Sequence, residues 1–334
     1  MPLMRAAILC PGRGSYTERT LGSLAAKREL VQRVDALRAE YGLEALSALD
    51  AAERFVPAQQ LRPANVSPMI YAVSVLHSER IFDEYDVTCV GGNSLGWYTA
   101  LAVGGALSFD DGFRLVQEMS LLQQELATAG GQIIYPLVDE DWGADRELAE
   151  NVQQALASSS GEAFASIDLG GYAVLAGSET GIAHLQRSLK PVQRRSTSYP
   201  VRLAQHGPYH TPLVRDVASR ARESLSRLDF RAPRTTLIDG RGARFTPAST
   251  DPAELLDYTL GAQITEPFSF TRTVRVTLRE HAPDRLVLPG PGNTLGGVCG
   301  QILANEGWHG IRSRADFDRT QAGADPIVHS LDRR

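Results

Sequence analysis

Asp86-Val87-Thr88-Cys89-Val90-Gly91-Gly92-Asn93-Ser94-Leu95-Gly96-Trp97-Tyr98 is the stretch from which the rest of the chain can be read. Its first half is a short β-branched run ending in paired glycines, the pattern of a buried strand entering a turn. Its second half holds a G-x-S-x-G sequence, Gly92-Asn93-Ser94-Leu95-Gly96, followed by a helical pattern over 98–103. Small residues on both sides of Ser94 let the chain turn sharply and push the hydroxyl out of the sheet, as in a nucleophile elbow. The backbone N–H of Leu95 then falls at a helix N-terminus, where it can stabilise an oxyanion. The bare pattern occurs by chance; the strand before it and the helix after it give it weight.

The same strand, glycine turn and helix recur on either side. An apolar run over 6–10 precedes Pro11-Gly12-Arg13-Gly14-Ser15, and helical spacing follows over 21–38 and 69–82. Ser108-Phe109-Asp110-Asp111 is a capping-box sequence that opens a helix to about Ala127, with Leu115, Met119, Leu122 and Leu126 on one apolar stripe. Such alternation predicts a parallel α/β sheet. After Gly130-Gly131 the pattern changes to strand (132–138), helix (144–157), two strands (163–169 and 172–176), helix (179–189) and strand (197–203). That is the β-α-β-β-α-β order of a ferredoxin-like unit. The reading is an α/β-hydrolase-like core at 1–129 and 204–311, a ferredoxin-like subdomain inserted at 130–203, and a polar, loosely held tail at 312–334. In the second part of the core a helix over 212–228, strands at 235–238 and 285–288, and a last helix to Asn305 are expected.

Composition narrows the function. The chain has 334 residues, 43% of them hydrophobic and 22% charged, enough for a large buried core. Its 34 basic and 39 acidic residues leave a net charge of −5, with no basic excess for nucleic acid. Three scattered cysteines, Cys10, Cys89 and Cys299, exclude a disulfide framework and a CxxC metal site, and fit a reducing compartment. No metal is expected. No run approaches the roughly 20 apolar residues of a membrane span, and the N-terminus lacks a signal-peptide pattern, so the expected location is the cytoplasm.

A serine nucleophile needs a base. Of seven histidines, His77 and His184 fall in helical patterns, while His281, His309 and His329 fall in loop-like or terminal segments. His206 and His210 remain, between a strand and a helix where α/β sites form. Chain order does not choose between them.

Taken together these residues resemble the malonyl-CoA:acyl-carrier-protein transacylases and the acyltransferase domains of polyketide synthases. Pro11-Gly12-Arg13-Gly14-Ser15 is similar to that family's PGQGS, and GNSLGWYTAL from Gly92 to GHSLGEYAAL. His210-Thr211-Pro212-Leu213-Val214 resembles its H-S-P-L-M histidine segment. Gln263 to Phe268 resembles Q-L-x-x-P-V, and Gly290-Pro291-Gly292-Asn293-Thr294-Leu295-Gly296-Gly297 resembles GPGxVLTGL. The inserted subdomain also matches the family architecture. The resemblance implies Ser94 as nucleophile, His210 as base, the N–H groups of Leu95 and Arg13 as oxyanion hole, and a main-chain carbonyl at Gln263 orienting the base. It implies ping-pong transfer with no bound cofactor. Acyl-CoA or a phosphopantetheinyl carrier would be the substrate, and an acyl carrier protein the partner.

The chain departs from the family at informative positions. The arginine that pairs with the malonyl carboxylate aligns with Met119, so an uncharged acyl group is expected, since a carboxylate without a partner is disfavoured in an apolar pocket. Asn93 replaces a histidine, Trp97 a glutamate, and Tyr209 is bulky; with Met119 these form the expected acyl pocket. Arg13 replaces a glutamine and either points to solvent or brings a cation to the site from another side. Arg187, Lys190, Arg194 and Arg195 are candidates for contact with an acidic carrier protein. The readings carried forward are an acyltransferase loading a carrier protein, an acyl-thioester hydrolase on the same scaffold, and a non-catalytic carrier-docking protein. A lipase-type hydrolase would need an Asp or Glu triad partner between the serine and the histidine in the chain, and the insert has no counterpart there.

Overall fold

A computed structural model of the chain describes residues 3–26, 28–126 and 128–332. Lys27 and Ala127, both assigned to helices by the sequence pattern, lie outside the described residues. The fold is a mixed α/β arrangement around two main sheets.

The larger sheet has six strands in the order Arg244–Phe245, Leu237–Ile238, Asp86–Gly92, Arg5–Cys10, Arg285–Leu288 and Val328–Ser330. All neighbours are parallel except the first pair. Ala6 to Cys10 are wholly buried at its centre, as a continuous apolar strand covered on both faces requires. The helix Pro63–Glu84 begins earlier than the expected 69–82 because Pro63 suits a first helical turn. Pro68 inside it leaves the Ala64 carbonyl without its helical donor. Arg38 Nη1 (2.6 Å) and Gln117 Nε2 (3.2 Å) donate to that carbonyl instead, so the helix continues through the proline.

The second sheet runs in the order Phe268–Ser269, Ala163–Leu169, Tyr172–Gly177, Gly131–Pro136, Val201–Arg202. Two capped helices pack on it. Arg146–Ala157 starts at Asp145, which accepts from Leu148 N at 3.1 Å, and Glu179–Ser188 at Ser178, which accepts from Gly181 N at 3.1 Å. Ile133, Tyr135, Leu148, Val152, Leu175, Ile182 and Leu185 fill a small core of their own between these layers. The edge strand Phe268–Ser269 pairs parallel to Ala163–Leu169 and comes from outside the insert, so this sheet ties the two parts of the chain together.

Several expectations are corrected. The single strand expected at 197–203 is two pieces: Thr197–Tyr199 closes a hairpin with Val192–Arg194, and Val201–Arg202 joins the second sheet. The helix expected at 212–228 is a 3-10 turn, Pro212–Val214, followed by Arg215–Leu225. The expected loose tail is ordered over its described residues, 312–332. Arg314–Ala322 is a helix, and Val328–Ser330 adds a parallel edge strand to the large sheet through Leu286↔Val328 and Leu288↔Ser330. Phe317, Ile327 and Val328 are buried there, and Asp332 Oδ2 accepts from Gly292 N at 2.6 Å. A three-residue strand in a polar context carries no periodicity that a sequence pattern could show. Among the described residues no helix is long and apolar enough to cross a membrane.

Candidate active site

Ser94 stands at the carboxyl end of the strand Asp86–Gly92 and at the start of the helix Leu95–Val103, with φ 55° and ψ −110°. A non-glycine residue in that region is strained, and such strain concentrates at functional sites. The flanking glycines are dictated by packing. A Cβ on Gly92 would lie 2.3 Å from the Gly96 carbonyl, and one on Gly96 would lie 2.2 Å from Cys10 O. The G-x-S-x-G spacing is therefore the condition for this turn to close against the central strand.

The Ser94 Oγ is 2.7 Å from His210 Nε2. His210 Nδ1 is 2.8 Å from the main-chain carbonyl of Gln263. A carbonyl accepts only, so Nδ1 carries the proton and Nε2 is left to accept from the serine hydroxyl. The His210 backbone is also held, donating to Ile264 O at 3.1 Å. Burial pushes the His210 pKa down to about 4; the Gln263 carbonyl opposes this, and the Arg13 charge adds to it. The imidazole is thus neutral at ordinary pH.

The structure distinguishes the two histidines. His206 turns its Nδ1 to Gln132 Oε1 at 2.8 Å, and burial, with Arg13 and His210 nearby, holds its pKa well below the ordinary histidine value. Gln132 Nε2 donates to Ser166 Oγ (2.7 Å), which donates to Tyr209 O (2.8 Å), fastening the histidine loop to the second sheet.

Two cavities meet at Ser94. A small one of about 30 Å³ lies towards the helix Phe109–Leu126 and is walled by Ser67, Val116, Met119, Ser120 and Gln123, with Leu95, Tyr98, His210 and Gln263. A larger one of about 230 Å³ runs between the two sheets past Gly12, Asn93, Ile134, Ile167, Val174, Thr294 and Val298. It shares Tyr172, Thr294 and Val298 with an outer groove of about 480 Å³. Arg13, Ser94 and Tyr209 belong to both inner cavities. The Arg13 guanidinium sits 4.1 Å from the Tyr209 ring centre, with Nη1 3.2 Å from the Tyr209 hydroxyl. Arg13 therefore faces the site.

Met119 and Leu95 line the smaller cavity, Asn93 the larger one, and Tyr209 and Arg13 both. The N–H of Leu95 is in the first helical turn, where such groups have no intrahelical acceptor. Trp97 is a correction. It is wholly buried away from both cavities, donates from Nε1 to Thr259 Oγ1 at 3.1 Å, and packs against Tyr258 and Phe245. Leu95 and Tyr98 share one face of their helix, and position 97 turns to the other. The basic cluster is also divided. Arg194 and Arg195 line the outer groove, whereas Lys190 pairs with Glu147 and Arg187 sits on the exposed last turn of its helix.

Tyr98 is a residue the motifs did not flag. Its hydroxyl donates to Gln263 Oε1 at 2.7 Å, while Gln263 Nε2 donates to Ser94 O at 3.2 Å. The Gln263 side chain thereby clamps the elbow while its carbonyl holds the histidine. Tyr98 lies three residues after Leu95, so helical spacing alone could have placed it on the site face.

The fold and site define a mixed α/β protein with a serine–histidine pair at the mouth of a tunnel between two sheets. No protein-family model matches the chain. The chain is 25% identical over 328 residues to the malonyl CoA-acyl carrier protein transacylase of Haemophilus influenzae, covering 96% of this chain and 99% of that one. Its fold matches the acyl-carrier-protein S-malonyltransferase of Burkholderia pseudomallei 1710b at a TM-score of 0.74, with 20% identity, over 99% of this chain and 97% of that one. It also matches a malonyl-transacylase solved with its type II PKS acyl-carrier protein, at a TM-score of 0.72 and 22% identity, over 90% and 93% of the two chains. The resemblance seen in the motifs thus extends over nearly the whole chain.

Proposed function

We propose that this protein transfers an acyl group from a thioester to an acyl carrier protein through an acyl-Ser94 intermediate. The observation that carries the reading is the relay from Ser94 Oγ to His210 Nε2 and from His210 Nδ1 to Gln263 O, at 2.7 and 2.8 Å. His210 takes the serine proton as Oγ attacks the thioester carbonyl, then delivers it to the departing sulfur. The N–H groups of Leu95 and Arg13 receive the oxyanion. A main-chain carbonyl suffices to orient the imidazole. No cofactor is required by this chemistry.

The acyl group enters the smaller cavity and the pantetheine arm occupies the tunnel. Apart from Arg13 at the junction with the tunnel, the walls of this cavity, Met119, Val116, Ser67, Ser120 and Gln123, offer the acyl group no cation, so a short uncharged acyl group fits better than a carboxylated one. The protein is accordingly not restricted to malonyl groups. Arg194 and Arg195 at the outer groove are the cations best placed to meet an acidic carrier.

The test is intact-protein mass spectrometry with acetyl-, propionyl-, butyryl- and malonyl-thioesters, with and without holo carrier protein, and Ser94→Ala as control. An uncharged acyl adduct that persists until the carrier thiol removes it supports the reading. Rapid decay of the adduct to free acid, unaffected by carrier, would make the protein a thioester hydrolase. An intact relay that takes no acyl group from any thioester would leave only a docking role.

A further inference from the structure

The transfer reading uses the Arg13 backbone and leaves its side chain unexplained. Arg13, Ser94 and Tyr209 are the residues common to the smaller cavity and the tunnel. None of the residues lining either cavity is an aspartate or glutamate, and Arg13 brings the only lysine or arginine charge to them. Its guanidinium is preorganised over the Tyr209 ring at 4.1 Å, with one N–H spent on the Tyr209 hydroxyl at 3.2 Å. A guanidinium has five N–H donors, so most of its donor capacity is uncommitted among the described residues.

With the acyl group in the smaller cavity and the pantetheine arm in the tunnel, the carbon–sulfur bond spans the junction between them. With an uncharged acyl group, the negative charge that arises there is the one the chemistry creates. We propose that Arg13 is a further catalytic residue that stabilises the sulfur as a thiolate, both when it leaves and when the carrier thiol attacks. This inference rests on the transfer reading above.

In the first half-reaction the Ser94 Oγ–carbon bond forms and the carbon–sulfur bond breaks. The electron pair leaves on sulfur beside the guanidinium, and the serine proton passes through His210 Nε2 to that thiolate. In the second half-reaction the carrier thiol gives its proton to His210 and its thiolate attacks the acyl carbon. The carbon–Oγ bond then breaks and Ser94 recovers the proton. A neighbouring arginine lowers a thiol pKa and raises the thiolate fraction. Water, the competing acceptor, gains nothing comparable from a cation placed for sulfur, so Arg13 also biases the site towards thiol acceptors. The same charge depresses His210, a cost offset where negative charge must develop on sulfur.

The experiment compares wild type, Arg13→Gln and Arg13→Lys in the pre-steady-state acylation of Ser94. The donors are acetyl-CoA, malonyl-CoA, phenyl thioacetate and 4-nitrophenyl thioacetate, and deacylation is followed with pantetheine or with water. Arg13→Gln is expected to slow acylation by acetyl-CoA on the order of 100-fold, with Lys restoring most of the rate. A low-pKa leaving group departs without help, so the loss should shrink to about 3-fold or less with the nitrophenyl donor. Pantetheine deacylation should fall because its nucleophile is a thiolate, while hydrolysis, which brings no sulfur to the junction, stays within about 2-fold. Equal losses with every donor would make Arg13 an oxyanion stabiliser, and a loss confined to malonyl-CoA would make it a carboxylate clamp; either overturns the proposal. Retained phosphonate labelling of Ser94 verifies that the variants fold. If wild type forms no Ser94 adduct with any donor, the transfer reading fails first and this one with it.

Discussion

Lowering the pH probes the relay directly. His210 is 3% exposed, and its pKa falls from the ordinary 6.5 to about 4. The cause is chiefly burial, because a carbonyl partner, unlike a carboxylate, supplies no full negative charge to hold the imidazolium. The acylation rate by acetyl-CoA at limiting substrate reports the free enzyme. It should stay level as pH is lowered from about 8 to about 5.5 and reach half its plateau near the His210 value. The same shift has a stability consequence. At pH above 6.5 the group is neutral folded and unfolded, so the full stability is present there. As pH falls from 6.5 towards 4 the unfolded chain binds the proton first, and stability is lost through that window by about 3 kcal/mol, levelling off below it. Denaturant unfolding at a series of pH values measures this loss, and His210→Gln should remove His210's share of it. Rates must therefore come from brief pH jumps, with activity recovered on return to neutrality. An acid limb centred at 6.5 or above would refute the reasoning, since it would require a negative charge beside His210 that the structure does not contain.

Trp97→Phe should cost about 1–3 kcal/mol, through the lost contacts and the hydrogen bond to Thr259. It should leave the order of preference among acyl donors unchanged, as adduct masses would show; an altered preference would restore Trp97 to the pocket. Deleting residues 327–334 strips the edge strand and exposes the faces that Ile327 and Val328 cover. At about 1.5–3 kcal/mol per buried aliphatic side chain, this loss rivals the roughly 5–15 kcal/mol that hold a typical protein together. The truncated chain should unfold at a much lower denaturant midpoint, and an unchanged midpoint would return the tail to a loose appendage.

The motifs made the elbow and its context legible because they are local. The Gly92 and Gly96 spacing, the strand before it and the helix after it are dictated by backbone sterics within a dozen residues. The change of pattern at Gly130-Gly131 was legible for the same reason, since each element there has its own turn or cap. Distant elements decided the rest. His206 and His210 are four residues apart in equivalent-looking sequence, and only the carbonyl of Gln263, 53 residues on, selects His210. Trp97 reads as a site residue by its nearness to Ser94, yet helix rotation sends it to the opposite face. The tail looked loose because two buried residues, Ile327 and Val328, become significant only when strand Arg285–Leu288 offers them an edge. Arg13 was open between solvent and site until Tyr209 came across the fold to stack on it. By itself the sequence determined the turn, the place of Ser94 at its apex and the succession of elements, all set by interactions along the chain. Which histidine meets Ser94, the walls of the two cavities and the destination of the Arg13 charge belong to tertiary structure, because each depends on groups that meet only when the two sheets close on one another.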